Sequence, residues 1–266
     1  MTDASAQAAT SDTLTTPDVS AASVGRRKQR FDRSIIAGPL KPAVWKIAWP
    51  SMLTNVIGGL QGIVDHALVG NLIGYRANAA IGVAWQIFIV VIVFISSIFT
   101  GMSVLVARFA GAGEEEKVDR VVYQALLTAL GISLLIMAPL GYVASPTLLD
   151  LVNAAPEVKA EALPFLRIMF LFSSGMMLFF MFSTALRSAG DARTPMLLGI
   201  VMTVLNLVLN IILIRGLGPI PRFGTAGSAM GTVIASGVVA LYAIIRLWRG
   251  GWVVSFPRGS FRPNWT

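Results

Sequence analysis

Six long apolar runs, separated by short polar stretches, organise the chain. They cover roughly residues 47–72, 79–107, 121–143, 163–186, 196–215 and 225–248. A helix rises 1.5 Å per residue and a bilayer's hydrocarbon core is about 30 Å thick, so about 20 residues span it. Every run reaches that length. Strands of a membrane barrel would alternate apolar and polar residues over about ten positions. Ile87 to Phe94 is apolar without alternation. The pattern predicts an all-α fold, a polytopic membrane bundle of six transmembrane helices over residues 35–250. The short connections predict antiparallel neighbours.

Composition sharpens this reading. The apolar set AVILMFWYC makes up 55% of the 266 residues and charged residues only 13%. A soluble domain is about 25% charged, and so few charges would not cover its surface. A soluble globular enzyme is excluded. The chain has no cysteine and one histidine, His66. Disulfides, thiol nucleophiles and Cys-based metal sites are therefore excluded, and no nucleophile or metal-ligand constellation points to an enzyme.

The formal charge of +8 would suggest nucleic acid in a soluble protein. Here the basic residues flank apolar runs, so membrane lipids are the expected partner, with no nucleic acid. Of the 21 Lys and Arg, 16 lie in the N-terminal tail and its approach to the first run, the 108–120 loop, the 187–194 loop and the C-terminal end. Five lie in or beside the alternate connections: Arg76, Lys159, Arg167, Arg215 and Arg222. By the positive-inside rule both termini are cytoplasmic, in a bacterial inner or plasma membrane. Residues 1–34, with the basic run Arg26-Arg27-Lys28-Gln29-Arg30, read as a flexible cytoplasmic tail. Residues 251–266 read as a cytoplasmic tail or the start of a linker.

Twelve of the 13 acidic residues fall in tails or loops. The exception is Asp65, in the first run. An ionisable group at such depth costs roughly 3 kcal/mol or more, and it faces a bundle interior or a wet cavity. A carboxylate there suits loading and releasing a proton, or holding a sodium ion; plain hydrogen-bonded packing is the alternative. Thr54, Gly58, Gln61 and Gly62 share its side of the helix, a small and polar stripe. His66 is turned about 100° from Asp65. It reads as a partner in an interhelical hydrogen bond, or as an aid to proton transfer. Pro50 interrupts the same helix and favours a kink, a natural hinge.

Other runs carry polar faces as well. Thr203, Asn206 and Asn210 share one face of the fifth run, with Gly199 a turn earlier. They serve either as interhelical glue or as the wall opposite Asp65. Gly224, Gly227, Ser228, Gly231, Thr232 and Ala235 form a small-residue face on the sixth run. Close packing is its main reading, with a cavity role for Ser228 and Thr232 second. Gln86 belongs to a thinner polar stripe on the second run. The fourth run is rich in Met and Phe, Met176 among them; such residues suit an adaptable binding wall, though lipid contact and plain packing use them too.

Several motifs resemble the N-terminal half of the multidrug and toxic compound extrusion (MATE) transporters. They are Pro50, then Val64-Asp65 with Val69-Gly70, and Ala107-Arg108-Phe109-Ala110-Gly111-Ala112, where the family usually has Gln for Arg108. They continue with Leu186-Arg187-Ser188-Ala189-Gly190-Asp191-Ala192-Arg193-Thr194-Pro195, Asn206-Leu207-Val208-Leu209-Asn210, Leu213-Ile214-Arg215-Gly216 and Gly224-Thr225-Ala226-Gly227-Ser228-Ala229. The resemblance implies an antiporter that exports small organic cations or other toxic compounds, driven by protons or sodium, with no cofactor. Asp65 matches the family's coupling aspartate, and Asn206 and Asn210 its polar pair. One branch has aspartate where Asn210 stands, so Asp65 is the only acid here. A sodium ion, if used, would sit at Asp65, Asn206 and Asn210. Pro50 matches the proline at which the first helix of some members bends.

Members have about twelve helices in two six-helix lobes, and alternating access rocks one bundle against the other. The chain matches one lobe, so a second lobe or a homodimer is an expected partner. Two other readings stand beside this one: a lipid-linked oligosaccharide flippase, which would predict cationic side chains in the cavity, and a truncated, non-transporting membrane module.

Overall fold

The computed structural model describes residues 40–216, 221–250 and 252–254, all helix, turn or loop. The tail assigned to residues 1–34 and most of the segment 251–266 lie outside the described residues. The helices are α1 (Leu40–Leu72), α2 (Tyr75–Gly111), α3 (Glu115–Gly131), α4 (Ala138–Leu151), α5 (Pro156–Leu171), α6 (Ser174–Ser188), α7 (Arg193–Arg215) and α8 (Gly224–Trp248).

Two of the six apolar runs are not single α-helices. The third run becomes α3 and α4, joined by a π-helical segment, Ile132–Met137, in one rod of 37 residues. The cause is Pro139. In an α-helix its ring would press on the carbonyl four residues back and leave that group without a donor. The wider π turn relieves this, and the Ala138 N–H donates to the Ser133 carbonyl five residues back. The fourth run becomes α5 and α6, bent by 55° at Phe172 and Ser173. No proline sits there. The bend lets α6 approach α8 at Gly175, where a Cβ would lie 2.7 Å from the Gly237 nitrogen. The two irregular points are tied together, because the hydroxyls of Ser133 and Ser173 lie 3.0 Å apart.

Among the described residues, α2, the α3–α4 rod, α7 and α8 are long and apolar enough to cross a membrane; the bent α5–α6 pair counts as a fifth. At 33 residues α1 has the length, about 50 Å. However, Asn55, Gln61, Asp65, His66 and Asn71 dilute its apolarity. It runs without a break through Pro50. The helices also extend past the apolar runs into polar flanks; α3 begins at Glu115, where Glu115 and Glu116 suit the positive end of the helix dipole. Gly216, in the left-handed region with φ 69°, stops α7.

The main core lies between α2, α5 and α6. Phe88, Phe165, Phe170, Phe182, Met169 and Met181 are fully buried. Phe88 meets Phe170 edge to face, with centroids 5.5 Å apart. Hydrophobic exclusion does not drive helices together in lipid, so such interlocking shapes supply the attraction. The small-residue face of α8 packs closely on α7. A Cβ on Gly227 would lie 2.8 Å from the Leu213 carbonyl oxygen. At the other flank, His66 on α1 reaches Asn78 on α2, Nδ1 to Oδ1, at 2.5 Å.

Candidate functional site

The polar residues of α1, α7 and α8 meet in one seam. α7 packs against both other helices. Its asparagines lie four apart and face the same way, and both are buried, Asn206 1% and Asn210 0% exposed. Asn210 Nδ2 donates to Asp65 Oδ1 at 2.9 Å. The same amide lies 3.2 Å from Asn206 Oδ1. Gln61, one turn before Asp65, donates through Nε2 to Asn206 Oδ1 at 3.2 Å and accepts from Thr203 Oγ1 at 2.8 Å. Asn206 Nδ2 donates to Thr232 Oγ1 at 3.0 Å, and that hydroxyl donates to the Ser228 carbonyl at 3.1 Å.

The Asn206 carboxamide lies between Asp65, Gln61 and Asn210 on one side and Thr232 on the other. Asn210 Oδ1 is the odd atom: it is buried and has no hydrogen-bond partner among the described residues. It lies over Gly231, where a Cβ would collide with it. An unpaired buried carbonyl costs about 1–3 kcal/mol, and a cation or water would relieve it.

Of the residues singled out from the sequence, Gln61, Asp65, Thr203, Asn206, Asn210, Ser228 and Thr232 come together here. Two do not join the seam. Gln86 is exposed on α2. Met176 lines a separate, narrow apolar cleft of about 20 Å³ with Phe88, Ile92, Phe99, Met137 and Phe180. Pro50 is linked to the stripe through its carbonyl, which accepts from Thr54 Oγ1 at 2.8 Å.

The structure adds two features. Gly231 sets the depth at which Asn210 can sit; its place in the small-residue face was the available signal. Arg167, read above as lying at the edge of a connection, lies eleven residues into α5, with its guanidinium 4.5 Å from the Tyr142 ring centroid. Stacking on an aromatic face keeps a cation tolerable at that depth.

Four apolar helices, or five with the bent α5–α6 pair, beside a helix whose acid is held by polar neighbours, define a polytopic membrane bundle with a polar seam among its described residues. The MatE family model matches residues 50–212, and the chain belongs to this family. It is 31% identical over 212 residues to the probable multidrug resistance protein YoeA of Bacillus subtilis, covering 78% of this chain and 45% of that one. It is 31% identical over 193 residues to the probable multidrug resistance protein NorM of Thermotoga maritima, covering 71% and 40%. A solved MATE transporter in an outward-facing conformation superposes with a TM-score of 0.79 at 25% identity, over 90% of this chain and 51% of that chain. The chain thus spans about half the length of the relatives it matches. It is a multi-pass membrane protein.

Proposed function

We propose that the chain forms one lobe of a cation-coupled exporter of organic cations or similar toxic compounds. The observation that supports this most is the hold of Asn210 on Asp65 inside the seam. Asp65 and the Asn206 and Asn210 oxygens are hard donors suited to a proton or to sodium. The unpaired Asn210 Oδ1 leaves one donor free for such an ion.

The cycle follows from differential affinity. A cation entering from outside loads Asp65 and withdraws its negative charge from the exported cation. Because α1 carries Asp65 and Gln61 on one stripe, the swap alters how α1 sits on α7, with Pro50 as the hinge. Gln61, Thr203, Ser228 and Thr232 line the substrate's route; Gln86 and Met176 would form its further walls. Coupling arises because the two ligands favour different conformations.

In this reading α1 completes six passages, both termini are cytoplasmic in a bacterial inner membrane, and a second lobe or a second copy supplies the opposing bundle. The experiment is efflux of ethidium, as a probe organic cation, from vesicles holding the protein under an imposed proton or sodium gradient. The expected result is gradient-dependent efflux that Asp65→Asn abolishes. Equal efflux from wild type and Asp65→Asn would overturn the coupling role. Flux of a lipid-linked pyrophosphate with no response to ethidium would favour a flippase.

A further inference from the structure

At the end of the bundle where α7 begins and α8 ends, away from the seam's Asp65, the two helices and Trp252 line a groove of about 550 Å³. That volume is in the range of pockets that hold a drug-sized ligand. Its floor is apolar. Its sides, Leu197, Val201 and Val238, are 57%, 55% and 51% exposed, so the groove opens on the outer surface of the bundle rather than into the core.

The mouth has a different chemistry. Arg246 lies in the last turn of α8 beside Thr194 in the first turn of α7. Its Nε is buried and finds no hydrogen-bond partner among the described residues. Asp191 is the acid nearest in sequence to the start of α7. Its carboxylate is used otherwise: Oδ1 accepts from the backbone N–H groups of Arg193 and Thr194 at 3.1 and 3.0 Å, and Oδ2 accepts from Thr194 Oγ1 at 2.5 Å. Tyr242 and Trp252 pack edge to face, with centroids 6.2 Å apart, an aromatic pair suited to the headgroup level. From Arg246 to Val238 is eight residues of helix, about 12 Å of depth. The groove is therefore cationic and aromatic at one end, and apolar and open at the bundle surface for the rest of its length.

We infer that this groove is a binding site for one anionic phospholipid, with the phosphodiester on Arg246 and an acyl chain along α7 and α8. Charge complementarity selects the headgroup. A zwitterionic lipid brings its own cation against Arg246, whereas phosphatidylglycerol does not. The guanidinium offers phosphate a paired, charge-assisted contact that a neutral side chain lacks. The lateral opening selects a lipid over a solute arriving from water. A lipid seated there bridges the first turn of α7 to the last turn of α8, two helices of the polar seam.

The test is native mass spectrometry of the full chain released from detergent, after adding phosphatidylglycerol or phosphatidylcholine. The probes are wild type, Arg246→Gln, Val201→Trp to fill the groove, and Arg249→Gln as a neighbouring-charge control. Circular dichroism and elution volume verify that each variant is folded. Wild type and Arg249→Gln should retain phosphatidylglycerol over phosphatidylcholine. Arg246→Gln should lose about tenfold of that preference, the loss of one charged hydrogen-bonding partner. Val201→Trp should lose both lipids. A photoreactive phosphatidylglycerol should label Tyr242 or Trp252. Equal retention of the two lipids by wild type, an unchanged preference in folded Arg246→Gln, no lipid adduct at all, or labelling confined to other helices would each overturn the proposal.

Discussion

The two sides of the bundle are held by different chemistry. On the α2–α5–α6 side, Phe88, Phe165, Phe170 and Met181 are buried together in one apolar cluster. On the α1–α7–α8 side, Gln61, Asp65, Asn206, Asn210 and Thr232 are joined by hydrogen bonds, and one buried carbonyl, Asn210 Oδ1, has no partner among the described residues. Interlocked shapes make a rigid body, whereas exchangeable donors and acceptors make a switch. The difference teaches where stability and function separate in this lobe. Changes to the aromatic side should act on folding, and changes to the seam on ligand response.

The largest expected effect breaks the rigid side. Phe170→Ala should destabilise the protein by about 3–5 kcal/mol, seen as a fall in the thermal unfolding midpoint in detergent. If it instead spared stability and removed the ethidium response, the division between the two sides would fail. Next, Gly175→Ala should cost about 1–3 kcal/mol, because its Cβ meets the Gly237 backbone rather than a movable side chain. Gly58→Ala is its control, since nothing lies within 4 Å of a Cβ there. In the seam, Asn210→Ala removes a charge-assisted donor to Asp65 and should weaken coupling of ethidium binding to the driving cation by about 1.5–3 kcal/mol, measured as the shift in ethidium affinity. The smallest effect sharpens the comparison: Thr203→Val deletes one neutral hydrogen bond to Gln61, about 1 kcal/mol, and should shift cation affinity slightly while leaving unfolding nearly unchanged.

The seam was largely legible in the sequence. Asn206 and Asn210 lie one turn apart, Gln61 and Asp65 lie one turn apart, and hydrocarbon leaves such groups only each other as partners. The helices were legible too, because length and unbroken apolarity are local properties. The interruptions were less so. The π segment follows from Pro139, but the displaced hydrogen bond depends on where the ring falls in the rod. The bend at Phe172 has no local cause; it answers to the approach of Gly175 to Gly237, a contact between distant parts of the chain. Met176 and Gln86 show the same limit. Their types suit a cavity wall, yet which wall depends on helix rotation, which tertiary packing sets.

The central claim is that occupancy of Asp65 by a small cation changes the affinity for the exported compound. Ethidium affinity, measured by fluorescence across a matrix of pH and sodium concentration in wild type and Asp65→Asn, tests it most directly. Linkage requires that a cation which opposes ethidium be opposed by it equally. Wild-type affinity should fall as protons or sodium are added, and Asp65→Asn affinity should stay flat. A wild-type affinity indifferent to both ions, or an Asp65→Asn variant with the same ion dependence as wild type, would contradict the account.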